Sequence, residues 1–294
     1  MNMITLAVLL VATAPAFAAE TASFLTVGTG ARALSLGGAY SALGEDADSL
    51  YWNPAGLSKV EKREVAVSHA EMFANTRLDH LAYAHPTSHG TFAAGLTYLS
   101  YGKVDSRDGL GRPTAEYDAS DAAVSAGYAR KLDFAEVGAS VKYLRSHVGS
   151  TEAQGAAFDL GARKTLGALM FGAAVRNAGP GLKYEDQRND LPLRLAAGAA
   201  YKLAGGHALA FELTNGPHGA GTDVAFGGEY QAIAGTCLRA GYTTRNVGGG
   251  TGFDAVRGLS LGMGVSLERW SLDYAVLPIG ELGTAHRFSL GARF

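Results

Sequence analysis

Several groups of residues have the types and spacing that chemistry would need. Gly258-Leu259-Ser260-Leu261-Gly262 matches the G-x-S-x-G nucleophile elbow. That elbow works where a strand turns sharply into a helix and presents the serine to a base. Here the serine lies inside the most regular alternating stretch of the chain, with no helix following and no His or acid tied to it by spacing. His80, His85 and His89 surround one strand and turn, but positions 80 and 85 point to opposite faces of a strand and cannot converge on a metal. Asp105, Asp108 and Gly109 match no defined calcium loop. Gly28-x-Gly30 follows no strand and opens no dinucleotide fingerprint. The expectation is a chain without catalytic residues, metal or cofactor. A hydrolase built on Ser260 and a His is the enzymatic alternative.

A further set is charged. Asp159, Arg163, Arg176, Arg194, Lys202, Glu212, Glu229, Arg239, Asp273, Arg287 and Arg293 all fall out of phase with the apolar residues around them. The elements that would position them have a period of two. Leu259, Leu261, Met263, Val265 and Leu267 alternate with Ser260, Gly262, Gly264 and Ser266; Trp270, Leu272, Tyr274 and Val276 alternate with Ser271, Asp273 and Ala275. Successive strand side chains face opposite ways, so each segment has one apolar face and one small or polar face.

Composition narrows the setting. The 294 residues include 40 Gly, 47% are hydrophobic and 18% are charged. That apolar content excludes intrinsic disorder, and the absence of a three-residue Gly period excludes collagen. A net charge of −2 supplies no basic field for a nucleic acid, and the single cysteine, Cys237, excludes a disulfide framework. Residues 1–18 read as an export signal, with an apolar run from Ile4 to Ala14 and a small-x-small site at Ala16-Phe17-Ala18. No later run is apolar and long enough for a membrane helix.

Fourteen segments alternate, near 63–69, 78–86, 90–101, 121–132, 134–147, 154–164, 167–177, 191–203, 207–215, 221–231, 235–245, 255–267, 269–278 and 284–294. Many are about as long as a tilted membrane-spanning strand of 9–11 residues. Aromatic residues such as Phe92, Tyr128, Tyr201, Tyr230 and Trp270 sit near the ends of the apolar faces, as an interfacial belt requires. The opposite face carries Gly, Ala and Ser rather than a second hydrophobic layer, which suits a polar lumen. The reading is all-β: a transmembrane antiparallel barrel of about fourteen strands over 63–294, in the bacterial outer membrane. Short Gly-rich turns on one side and longer connections at 102–120, 178–190, 246–254 and 279–283 on the other fit it. Lipid-facing Arg or Lys would cost about 2–4 kcal/mol at midplane, so the out-of-phase charges belong inside. A paired network clamping an internal segment and an ion or solute path both fit them; the small inward residues favour the network.

Residues 19–62 do not alternate. They contain Gly30-Ala31-Arg32, Gly37-Gly38 and Asn53-Pro54-Ala55-Gly56-Leu57. Asn53 is a good N-cap and Pro54 suits a first helical position, so a short helix should begin there. Such a segment, too polar for lipid, would lie in the lumen as a hatch. From Gly30 to Leu57 the chain resembles the N-terminal signature of the PorV/PorQ family of FadL-like outer-membrane barrels. That resemblance implies a fourteen-stranded barrel with a hatch. It implies a non-enzymatic binding or scaffold role with envelope or secretion proteins, or else FadL-like passage of small hydrophobic molecules through the barrel wall. The last strand carries Phe288, Leu290 and the terminal Phe294 on one face, which resembles the signal read by the barrel-assembly machinery.

Overall fold

A computed structural model turns the alternation into a wall. It describes residues 20–107, 112–184, 187–218, 220–245, 258–278 and 283–294. Residues 1–18, expected as an export signal, Asp108 and Gly109, residues 246–257 and residues 279–282 lie outside the described residues.

The strands are β1 (Glu64–Glu71), β2 (Arg77–Thr87), β3 (Gly90–Arg107), β4 (Pro113–Lys131), β5 (Glu136–Val148), β6 (Thr151–Leu166), β7 (Leu169–Ala178), β8 (Leu182–Tyr184), β9 (Gln187–Asn189), β10 (Arg194–Lys202), β11 (Ala208–Gly216), β12 (Gly221–Ile233), β13 (Thr236–Thr243), β14 (Leu259–Ser266), β15 (Trp270–Pro278) and β16 (Thr284–Arg293). Among the described residues β8 and β9 pair only with each other. The other fourteen close into an antiparallel barrel in which β1 pairs with both β2 and β16. All fourteen alternating segments of the sequence become barrel strands. Leu259 and Leu261 are 44% and 55% exposed on the outer face while Ser260 between them is 2% exposed, so the two-residue period is the difference between lipid and lumen.

Several strand ends differ from the sequence reading by a few residues, and three differences bear on the architecture. Most of 102–120, expected as a loop, extends β3 and β4, with Lys103 opposite Asp118 and Asp105 opposite Glu116. Above the lipid band neither face has to be apolar, so no alternation marks these residues. The connection 178–190 contains the β8–β9 hairpin, whose Leu182 is fully buried. β10 starts at Arg194 rather than at 191, because Pro192 has no N–H to give a ladder.

β1 begins and β16 ends at the end of the barrel that carries the short turns. Aromatic side chains ring that end on the outer face: Phe92, Tyr201, Tyr230, Trp270 and Phe294 are exposed, and Phe92 packs on Tyr128 at 4.9 Å between ring centroids. Phe288 and Leu290 also face outward. Among the described residues no helix is long and apolar enough to cross a membrane.

Residues 20–62 occupy the lumen as a hatch of short turns. It comprises α1 (Ala31–Ser35), α2 (Ser49–Trp52) and a 3-10 turn at Pro54–Lys59. Asn53 caps that turn, its side-chain oxygen accepting from Ala55 N at 3.1 Å, so the helix expected there is present in the tighter form. Glu20 pairs with Arg194 at the long-loop end, whereas Glu64 starts β1 at the short-turn end; the hatch therefore runs the height of the lumen. Its backbone lies against glycine. Gly138 is opposite Gly161, Gly172 opposite Gly198 and Gly227 opposite Gly241 on neighbouring strands. A Cβ on Gly138 would come within 2.5 Å of Pro54 O and 2.6 Å of Ala55 N, so side chains are excluded where hatch and wall meet.

Candidate functional site

The hatch is fastened by the charges that the sequence places out of phase. Arg163, fully buried on β6, donates to Ala42 O at 2.8 Å and reaches Glu45 at 2.5 Å. Burial opposes ionisation of Glu45, but hydrogen bonds from Arg163 and Lys202 outweigh it and hold the carboxyl below its usual range. Arg32 of α1 grips Glu229 with two hydrogen bonds of 3.0 and 3.1 Å, and Glu229 also receives Arg239 at 2.6 Å, which continues to Asp273. Arg194 holds Glu20. Arg293 holds Glu64. Glu212 accepts the N–H groups of Tyr40 and Ser41 at 3.0 and 2.8 Å, with Arg176 3.8 Å away and stacked over Trp52. Asp159 binds Lys142 at 2.7 Å and the backbone of Asn177 rather than any hatch residue. Arg287 is the exception: it donates to Gly28 O at 3.1 Å, and no carboxylate among the described residues pairs with it.

The hatch motif meets this wall directly. Ala31 N donates to Ser289 Oγ at 2.8 Å, and Gly37 N to Ser260 Oγ at 3.2 Å. Ser260 in turn donates to Ser35 O, so the serine of the elbow-like motif is a tether for the hatch. Asn53 donates to Ser41 O and Ala162 O, pinning one hatch turn to another and to β6. Gly30 and Gly37 bracket α1 at φ 77° and 70°, left-handed values that favour glycine. Gly38 packs on Trp52, Gly56 lies against Gly44, and Pro54 and Ala55 meet the Gly138–Gly161 floor. His80 faces inward to Thr97 while His85 bonds Tyr83, so the two do not converge. Among the described residues no cluster could hold a metal ion.

Sequence reasoning did not single out Glu20, Glu45, Glu64 or Lys142. The three glutamates lie in the aperiodic hatch or at its exit, where no phase marks an inward direction, and Lys142 shares the inward face of β5 with Ser140 and Leu144. Nor did it find the acid pair Asp46 and Asp48. Burial first, then the neighbouring Asp46 carboxylate, raise the Asp48 carboxyl well above its ordinary value.

One turn of α1 separates two spaces. On the long-loop side lies a chamber of about 350 Å³, lined by Val27, Leu34, Trp52, Met72, Phe73, Leu277 and Ala285 together with Glu212, Asp223, Arg245 and Arg287. On the other side is a polar vestibule of about 190 Å³ lined by Arg32, Asp46, Asp48, Glu64, Glu229 and Arg239. Leu34 faces the first and Arg32 the second. The chamber also reaches sideways. Leu259 and Pro278 both lie on the outward phase of their strands, yet both line it. Among the described residues the β14–β15 ladder stops at Leu261–Val276, whereas β13–β14 continues to Tyr242–Leu259 and β15–β16 to Pro278–Thr284. The wall is thus notched by two residues beside the chamber. Leu259 also borders an apolar groove on the lipid face, with Phe211, Phe226 and Tyr242 around the small Gly228 and Ala240.

The profile of the uncharacterised protein family UPF0164 matches residues 12–167. No curated protein matches the sequence. Similar folds occur in the toluene transporter TbuX of Ralstonia pickettii (15% identity, TM-score 0.65, 91% of this chain and 98% of that one). The Pseudomonas putida toluene transporter TodX aligns over 95% of this chain and 98% of its own, at 14% identity and TM-score 0.65. A Pseudomonas aeruginosa FadL homologue aligns over 90% and 98%, at 14% identity and TM-score 0.60. At these identities the likeness is one of fold.

Proposed function

We propose that this chain, which belongs to the uncharacterised protein family UPF0164, passes small hydrophobic molecules across the bacterial outer membrane by way of a lateral opening in its wall. The single observation that carries this reading is the chamber's reach to the lipid face: its lining includes the outward Leu259 and Pro278, where the β14–β15 ladder is missing. A straight aqueous route is the poorer fit, because the hatch fills the lumen along its height and is fastened by ion pairs. A hydrophobic solute entering from the long-loop side would instead leave the chamber sideways, over Leu259, into the apolar groove outside. The likeness in fold to two toluene transporters supports the same direction. In this reading the short turns face the periplasm, and Phe288, Leu290 and Phe294 serve the barrel-assembly machinery.

Continuing the β14–β15 register would place Leu259 opposite Pro278. A Leu259→Cys, Pro278→Cys protein in a Cys237→Ser background should therefore lock the notch on oxidation. Intact cells making the unlocked barrel should take up the hydrophobic dye N-phenylnaphthylamine severalfold faster than cells making the locked one, and reductant should restore the rate. Equal uptake in both would remove the lateral route.

A second reading rests on the β3–β4 hairpin, whose strands of 18 and 19 residues far exceed the 8 residues of β13 and β14. The excess forms a ledge on one side of the mouth, suited to holding another envelope protein, as the PorV/PorQ resemblance implies. A stoichiometric protein partner that co-purifies with the barrel and is lost on shortening this hairpin would favour that role over passage.

A further inference from the structure

The polar vestibule on the short-turn side of α1 holds more acid than base. Its cations are Arg32, Arg239 and Arg293, and each is already matched. Arg32 and Arg239 share Glu229 at 3.0 and 2.6 Å, and Arg239 reaches on to Asp273 at 2.6 Å. Arg293 holds Glu64 at 2.9 Å. Asp46 and Asp48 are left over. Asp46 accepts from Tyr40 Oη and stands 3.6 Å from Arg32, with its Oδ1 unpartnered. Asp48 is 8% exposed and its Oδ1 has no hydrogen-bond partner. Among the described residues the only basic group within 4 Å of it is His80 Nε2, at 3.7 Å. Five carboxylates against three arginines leave the vestibule acidic, and the exposed Lys62, Arg63 and Arg269 do not line it. Every internal segment outside the described residues joins strands at the long-loop end, away from this space. A buried carboxylate without a counter-charge is costly unless a cation reaches it. Burial first, then Asp46, Glu64 and Asp273, hold the Asp48 carboxyl up, so a proton and an incoming cation would compete for the same oxygens.

We infer that the vestibule is a binding site for a small organic cation with a primary ammonium group, held by Asp46 and Asp48. A metal ion is the poorer fit, because among the described residues no three ligating side chains converge on one. An ammonium carries three donors on a flexible stem and can reach acceptors set farther apart. Ser266 and Ser271 add neutral oxygens to the lining, and Ala66 adds an apolar surface for a short stem. The space of about 190 Å³ takes one short alkylamine. The side chain of Arg293 is 54% exposed and Ser266 is exposed, which puts the mouth at the short-turn end. The site is separate from the chamber. The passage reading enters only in assigning the short turns, and so the source of the amine, to the periplasm.

Cys237, the chain's single cysteine, lines the same vestibule and is half-buried, so the parent barrel carries its own reporter. In detergent and mildly alkaline buffer, Cys237 should react with aminoethyl methanethiosulfonate about tenfold or more faster than with the sulfonatoethyl reagent, as an acidic cleft requires. Each rate is taken relative to that of free mercaptoethanol. Butylammonium chloride should slow the reaction with the neutral methyl reagent at a concentration about tenfold below that at which sodium chloride does, the scale of a hydrogen bond between charged groups. Asp48→Asn should bring both ratios toward unity. Asp48→Glu, which keeps the charge, should retain part of each and guards against a mere failure to fold. Equal rates for the two charged reagents, equal protection by sodium, or ratios that survive Asp48→Asn would overturn the site while leaving hydrophobic passage standing. A thiol that reacts with none of the reagents would overturn it too, since the space would then be closed to any ligand.

Discussion

The guanidinium of Arg163 and the carboxylate of Glu45 meet at 2.5 Å between a fully buried wall residue and a hatch residue 118 positions earlier in the chain. The arginine also holds Ala42 O, so one wall side chain secures both ends of a hatch turn. Glu45→Ala leaves Arg163 half-matched in a dry site. It should loosen the hatch by roughly 1–3 kcal/mol, the worth of a hydrogen bond to a charged group. A urea titration followed by Trp52 emission in the Trp270→Phe protein would measure it. An unchanged midpoint would mean the pair contributes nothing.

Acid should have the same effect. The Glu45 carboxyl titrates below its usual value of 4.5 in the folded protein, so its stabilising contribution is complete above 4.5 and is lost as pH falls through the lowered value. The Trp52 transition should move to lower urea over that acid range in the parent barrel, with less movement in Glu45→Gln.

Asp48 has the opposite sign. Its carboxyl titrates well above the ordinary 3.8, so the unfolded chain gives up the proton first, and the hatch loses stability as pH rises from 3.8 toward the raised value. Asp48→Asn removes that penalty. At neutral pH it should raise the urea midpoint of the Trp52 transition, and a lowered midpoint would show that the ionised carboxylate is needed.

Much of the barrel was legible in the sequence because the bilayer enforces a period of two on every strand it touches. The same cause explains what was illegible. The upper parts of β3 and β4 stand clear of lipid, so nothing compels alternation there. The path of the hatch follows backbone contacts with glycine, and glycine carries no side chain to reveal which partner it admits. Arg287 was visible as an inward charge, but its lack of an acid could be seen only once Arg163, Arg176, Arg194 and Arg239 had been paired. The notch at Leu259 and Pro278 depends on where one ladder stops, which register decides and composition does not.

The glycine floor offers a sharper test of packing. Gly138→Ala places a methyl group against the carbonyl of Pro54 and the N–H of Ala55, both backbone atoms with little freedom to move. Overpacking of this kind costs about 1–3 kcal/mol. Gly228→Ala, on the outer face with its nearest neighbour 3.7 Å away, should be silent. Comparing the heat-modifiable gel mobility and urea midpoints of the two variants would check the contrast.

Deleting Phe294, which faces outward at the end of β16, should lower the yield of folded barrel in membranes without altering the urea midpoint of what does fold. A normal yield would argue against the terminal aromatic as an assembly signal.

Because the hatch starts beside Arg194 at one end of the lumen and leaves through Glu64 at the other, the barrel is built around its own axle. The closing seam, Glu64–Glu71 of β1 against β16, begins at the residue where that axle emerges. A cylinder sealed first would have to be threaded afterwards, past ion pairs and bare backbone with no slack. The economical order of events is that the sheet curls round a segment already in place, so that errors in residues 20–62 would surface as barrels that never shut.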